Sequence, residues 1–227
     1  MNKNNFMLIG DVHLPYENTH ALRFLKELKK DFEIPDSNVY SVGDIMDLYG
    51  FSRWPKSPDA KHTINQELDL VREKIRKWVA VFPEMKIAES NHDQRIMRKA
   101  LGADLPSQVI RGLEEIFEFP KGWEIKDQFV VMANKCEFLV CHGEEFPCAL
   151  QAAIHYGVNV VQGHHHQKAG ISYARTRMQQ LWGMETGCLV DTKSFAFAYG
   201  DKSKRKPINS SGLILNGIPH VIPLDFK

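Results

Sequence analysis

Apolar and polar positions alternate in two different textures along the chain. Residues 6–10, 39–42 and 85–88 are short apolar runs that read as buried strands. Between them the apolar spacing lengthens to three and four. Residues 20–30 predict an amphipathic helix, and Ile64, Leu68, Val71, Ile75, Trp78, Val79 and Phe82 share one face of a longer helix that Pro83 ends. Residues 94–100 and 106–117 read as two more helices. Strands dominate thereafter. Residues 129–133 and 137–140 predict a hairpin around Asn134-Lys135, 147–156 a helix and 158–162 a strand. Short β runs follow at 171–175, 180–184, 195–199, 213–215 and 220–222. Strands alternating with helices, then mostly strands, predict stacked sheets with helices outside. No internal repeat or long linker divides the chain, so residues 1–227 are expected to form one domain. The stretch 201–207 reads as a charged, solvated turn.

Composition narrows the class. The 227 residues carry 29 Lys+Arg against 28 Asp+Glu, a net charge of +1, which argues against holding long duplex nucleic acid on a broad basic face. An apolar fraction of 43% suits a soluble globular protein. The four cysteines form no CxxC pair, which fits a reducing compartment, and no apolar run is long enough for a signal-peptide core or a membrane span. A cytoplasmic protein with no membrane partner is expected. Histidine is the less ordinary count: ten, with His164, His165 and His166 adjacent.

Those histidines are organised by the predicted strands. Asp11-Val12-His13 follows the first, Gly43-Asp44 the second, and Asn91-His92-Asp93 the third. His142-Gly143 follows the strand at 137–140, and Gly163-His164-His165-His166 the strand at 158–162. Ligands gather beyond the carboxyl ends of strands in sheets flanked by helices, so one cluster could draw on all five exits. Mixed oxygen and nitrogen donors suit borderline divalent ions, two of which need a shared ligand and several terminal ones. With no thiolate pair, a structural zinc site is not expected.

The blocks DVH, GD, NHD, HG and GHHH resemble, in order, the DxH, GD, GNH(D/E), H and GHxH blocks of calcineurin-like metallophosphoesterases. They run from Asp11 to His166, about two thirds of the chain. The resemblance implies an α/β fold, a four-layer αββα sandwich of two mixed sheets with a two-metal centre at strand ends. By position, Asp11, His13 and His166 would hold one ion and Asn91, His142 and His164 the other, with Asp44 bridging. His92 would face the scissile phosphate and protonate the leaving group, oriented by Asp93. The ions, Mn²⁺ first and Zn²⁺, Fe²⁺ or Ni²⁺ as alternatives, would activate a water as nucleophile. Ser90 stands where the family has glycine, and a left-handed backbone there would cost about 1–2 kcal/mol.

Other residues keep two readings. Arg95, near a predicted helix start, could bind phosphate or form a surface salt bridge. His165, in the variable slot of GHxH, sits at the rim with a possible substrate role. Asp47 resembles the family's frequent second aspartate and is expected to support its loop. Phe51, Arg53 and Trp54 could wall a substrate or anchor the long helix. His20, His62, His155 and His220 are read as ordinary structure, and Cys141 and Cys188 as core. The resemblance points to phosphate-ester hydrolysis, with phosphodiesters (nucleotides or short nucleic acid ends) ahead of monoesters. Protein phosphatases carry an Arg-Gly pair where Leu48-Tyr49 follows Asp47, so that resemblance is poor, and small phage and bacterial phosphoesterases are closer. A metal-binding scaffold without catalysis is the alternative from another class.

Overall fold

Strand β1 (Asn5–Ile9) sets the layering. All five residues are buried. With the period of two, Phe6 and Leu8 enter one apolar cluster while Met7 and Ile9 enter another. Helix α1 (Ala21–Asp31) lays Leu25 and Leu28 on the Met7 and Ile9 side. Strand β2 (Val39–Ser41), helix α2 (Ile64–Val79) and strand β3 (Met85–Ala88) repeat this unit, and β1, β2 and β3 pair in parallel. Helix α2 starts on a capping box: Thr63 Oγ1 accepts from Gln66 N at 3.3 Å, and Gln66 Oε1 accepts from Thr63 N at 2.9 Å. It buries Val71, Ile75 and Trp78 beside α1 and ends at Val79, leaving Phe82 to pack from the following turn.

The helix predicted at 94–100 is α3 (Arg95–Leu101). The one predicted at 106–117 does not form as a unit. Ser107–Val109 is a single 3₁₀ turn, Ile110 is extended, and only α4 (Leu113–Ile116) is α-helical. Gly112, a poor helix former by about 1 kcal/mol, caps α4 in an extended conformation (φ −64°, ψ 160°) and so interrupts the pattern. Strand β4 (Trp123–Lys126), not predicted, pairs in parallel with β3.

The second sheet begins with the expected hairpin, β5 (Phe129–Ala133) and β6 (Cys136–Cys141). Asn134 and Lys135 turn it with φ of 45° and 67°, the positive pair a two-residue hairpin needs. Helix α5 (Ala149–Tyr156) and strands β7 (Asn159–Gln162), β8 (Ala169–Arg175) and β9 (Gln180–Thr186) complete it in the order β5-β6-β7-β9-β8. Strands β10 (Ser210–Leu215) and β11 (Ile218–Pro223) return to the first sheet, whose order is β11-β10-β1-β2-β3-β4. Both sheets mix parallel and antiparallel pairs.

Phe6, Leu8, Tyr40 and Val42 of the first sheet meet Phe138, Val140, Val161 and Trp182 of the second, so the sheets pack face to face. Helices α1 and α2 cover the outside of one. Helix α5 covers the outside of the other through Ala149, Ala152 and Ala153 against Leu139, Val160 and Leu181. This is the αββα order expected, and each large apolar side chain so buried contributes roughly 1.5–3 kcal/mol. The computed structural model describes residues 3–53, 56, 62–191 and 206–224. The strand predicted at 195–199, Trp54 and most of the 201–207 turn lie outside the described residues. No helix among the described residues is long and apolar enough to cross a membrane.

Candidate metal centre

The exits of β1, β2, β3, β6 and β7 meet at one edge of the sandwich. Backbone bonds lace the first two together: Val12 N and His13 N both donate to the Asp44 carbonyl, at 3.0 and 2.8 Å. His13, Asp44 and His164 have φ of 55°, 48° and 64°, left-handed values that side chains with a Cβ seldom adopt. Strain of about 1–3 kcal/mol per residue is thereby concentrated where chemistry-bearing side chains turn inward. Glycines let the two sheets close there. Gly43 has φ 102°, and a Cβ on it would stand 2.7 Å from Ser90 Cβ; a Cβ on Gly163 would run into the Asp11 carboxylate.

Two groups of donors share one carboxylate oxygen. On one side His166 Nε2 is 3.0 Å from Asp11 Oδ2 and 3.1 Å from His13 Nε2, which is itself 3.3 Å from Asp44 Oδ2. On the other, His142 Nε2 is 2.9 Å from Asn91 Oδ1, 3.2 Å from His164 Nδ1 and 3.5 Å from Asp44 Oδ2. The structure thus brings together all seven residues named as ligands. Imidazole nitrogens converging in pairs on carboxylate and amide oxygens form the donor set of borderline divalent ions. Asp11 Oδ1 is buried with no hydrogen-bond partner among the described residues, although Asp11 Oδ2 accepts from His164 N at 2.8 Å. A buried carboxylate oxygen left so is costly unless a cation meets it. The residues therefore fit a two-metal centre.

The fields around these groups agree. Burial alone would lower His13, but the carboxylates of Asp44 and Asp47 outweigh it and raise its pKa to about 10. Burial likewise works against the ionised form of Asp44, yet His142, His92 and His13 hold it well below the usual carboxylate range. His164 is pushed down to about 4 by burial and by its neighbour His142, leaving the ring neutral at neutral pH, with one nitrogen an acceptor and the other a donor. Around His13 and Asp44 the site favours a cation, so protons and metal ions compete for the same nitrogen.

Beside the donors lies His92. Its Nδ1 is 2.9 Å from the Asp47 carbonyl, which can only accept, so Nδ1 carries the hydrogen. Asp47 Oδ1 is also 2.9 Å from Nδ1. The other nitrogen, Nε2, lies 3.9 Å from Asp44 Oδ2 and accepts from Arg95 at 2.8 Å. Arg95 further donates to the Asp47 carbonyl at 2.7 Å and its carboxylate at 3.0 Å. Asp47 thus holds His92, Arg95 and, at 3.5 Å, His13 Nδ1, and the carboxylate of Asp47 converges with those two imidazoles as a third close group. The expectation that Asp93 orients His92 is corrected by these contacts. Asp93 Oδ2 accepts from Ser90 Oγ at 2.6 Å, and burial followed by the Asp44 charge raises its pKa to about 7. Ser90 itself adopts no left-handed backbone, so no cost of that kind arises, and its hydroxyl accepts from Asp93 N at 3.3 Å.

His165 turns out of the donor cluster, its Nε2 donating to the Phe146 carbonyl at 2.9 Å. His20, His62, His155 and His220 lie on or beside helices and strands away from it. Cys188 is buried and Cys141 half-buried. The sequence reading missed Glu67. This buried residue on α2 accepts from Tyr49 N at 2.6 Å and Gly50 N at 2.7 Å, clamping the loop that carries Phe51 and Arg53. A signal existed: Glu67 falls three residues after Ile64 and four before Val71, inside the apolar stripe.

No family model matches the sequence, and no curated protein matches it. Solved structures do. An archaeal phosphodiesterase is 16% identical over 97% of this chain and 99% of that one, with a TM-score of 0.50. Yfce, a phosphoesterase from E. coli, is 14% identical over 97% and 93%, with a TM-score of 0.51. A hypothetical protein from Pyrococcus horikoshii is 13% identical over 98% and 88%, with a TM-score of 0.53. At these identities the likeness establishes a shared fold, the αββα sandwich.

Proposed function

We propose that the chain is a calcineurin-like metallophosphoesterase, a single-domain, two-metal hydrolase of phosphate esters that prefers diesters of nucleotides or nucleic acid ends. One observation carries the reading: Asp44 Oδ2 stands between His13 Nε2 at 3.3 Å and His142 Nε2 at 3.5 Å, each with its own flanking donors. Asp11, His13 and His166 would hold one ion and Asn91, His142 and His164 the other, with Asp44 bridging. When bound, two divalent ions, Mn²⁺ foremost, supply charge neutralisation at phosphoryl oxygens and an activated water.

The chain's own groups do the rest. Asp47 fixes the hydrogen of His92 on Nδ1 and leaves Nε2 directed at the bridging carboxylate, where the scissile phosphate would sit. Once Arg95 leaves Nε2, that nitrogen takes a proton from solvent, and the resulting imidazolium, its Nδ1–H held by Asp47, passes the Nε2 proton to the departing alkoxide. Arg95 keeps one arm on Asp47, and its other arm, now on Nε2, exchanges to a phosphoryl oxygen as substrate arrives. Four unpaired cysteines suit the reducing cytoplasm. The test is turnover of bis(p-nitrophenyl) phosphate beside p-nitrophenyl phosphate by Mn²⁺-loaded protein. Chelator-sensitive cleavage, faster on the diester, is expected; faster cleavage of the monoester would reverse the preference, and silence on both would sink the hydrolase reading.

A further inference from the structure

A cleft of about 270 Å³ opens from Asn91 and is lined by Phe51 and Arg53 on one wall and Arg95, Arg98 and Lys99 on the other. Four of its lining residues are cationic and none is a carboxylate, in a chain whose net charge is only +1. The four charges are not equivalent. Arg95 is compensated by Asp47 beneath it. Arg98 donates to the Asn91 carbonyl, a neutral acceptor that leaves its charge in place. Lys99 is exposed and makes no ion pair among the described residues. Arg98 and Lys99 stand three and four residues beyond Arg95 on α3, on its side of the helix and about one turn of 5.4 Å farther along. The opposite wall is held in place, since buried Glu67 accepts from both Tyr49 N and Gly50 N just ahead of Phe51.

We infer that this cleft is a subsite for a second, non-scissile phosphate, so that the substrate is an ester or anhydride carrying adjacent phosphates. The inference rests on the phosphoesterase reading and deepens it. Arg95 and the metal donors would serve the phosphate being cleaved, while Arg98, Lys99 and Arg53 meet the next one along. Guanidinium and ammonium donors give charge-assisted hydrogen bonds to phosphate. Adjacent phosphates occur both in a nucleoside diphosphate and in a 5′-phosphorylated strand, and the chemistry at the cleft is the same for either.

The experiment is calorimetric titration of the purified protein with orthophosphate and with pyrophosphate, in wild type and in R98Q/K99Q. The wild type is expected to hold pyrophosphate at least about tenfold more tightly than orthophosphate, the gain of one further charge-assisted contact. The double variant is expected to lose most of that ratio. Any complexation of the probes by metal in solution is common to both proteins and cancels between them. Both residues are exposed, and circular dichroism checks the fold; should the double variant unfold, R98Q and K99Q taken singly must each reduce the ratio, and K99R must keep it. An unchanged ratio in folded variants overturns the subsite. ADP and 5′-phosphorylated dithymidylate, titrated next, separate the two sources: weaker binding of either by the variant supports the subsite and names its source, and weaker binding of neither overturns it. Ester cleavage by a wild type whose ratio survives the substitutions fails the subsite alone. Loss of the ratio in a protein that cleaves no ester fails the hydrolase reading and leaves the anion site standing.

Discussion

At the floor of the site Asp11 and His13 are fully buried and Asp44 is 2% exposed, whereas on the rim Arg53, Arg98 and Lys99 reach solvent. Floor residues sit on strand exits, three of them in left-handed backbone, and each touches several others. Rim residues come from one short helix and one loop. The floor is therefore over-determined: altering one group leaves buried charges without partners, which costs far more than losing a contact in water. The rim can change residue by residue with little effect on folding. The residues that would hold metal stand where variation is costly, and the cleft wall proposed to meet substrate stands where it is cheap.

Asp44 gives the sharpest way to break this contrast. Asp44→Asn keeps the shape but removes the charge between the two donor groups. Mn²⁺ binding is expected to weaken by more than about a hundredfold, beyond the usual effect of supporting residues, and diester turnover to fall to background. Metal content after dialysis and a Mn²⁺ titration measure it; a full metal complement in the variant would end the bridging role.

His92→Ala comes next. It leaves the donors intact, so both ions should remain while kcat falls by about 10²–10⁴. Turnover equal to wild type would remove His92 from the proton transfer. Its neighbours then discriminate between the two aspartates. Asp47→Asn, which disturbs the partner of His92, Arg95 and His13, should lower kcat by about 10–100-fold. Asp93→Asn should lower it less, because the contact of Asp93 is to Ser90. The reverse order would restore Asp93 as the group that orients His92.

The same contrast separates what could be read from the chain and what could not. Asp11, Asp44, Asn91, His142 and His164 follow short apolar runs that end at polar or glycine residues, so their convergence could be anticipated. Strand β4 escaped because Glu124 and Lys126 break its apolar character over only four residues. The run from 106 to 117 misled because its apolar spacing continues across Gly112, where the backbone does not. Which aspartate meets His92 was beyond local pattern as well: Asp47 reaches it from 45 residues away, while Asp93 is its neighbour in sequence. The rim depends on how the loop at 49–53 approaches α3, a tertiary matter that Glu67 decides.

Glu67 also yields the smallest effect, and it tests whether the rim's wall is tied to the core. Burial raises its pKa above the ordinary 4.5, outweighing the Gly50 and Tyr49 N–H groups that favour its charge. A carboxyl raised in the folded state binds its proton more tightly there than in the unfolded chain. Its contribution to stability is therefore complete below the unfolded value and is lost as pH rises through the folded one. Glu67→Gln removes this titration. Measured by urea unfolding from pH 4 to 7, the stability of wild type relative to the variant should decline as pH rises. Parallel pH curves would mean that Glu67 is not held apart from solvent, and the loop at 49–53 would then be free to vary independently of α2.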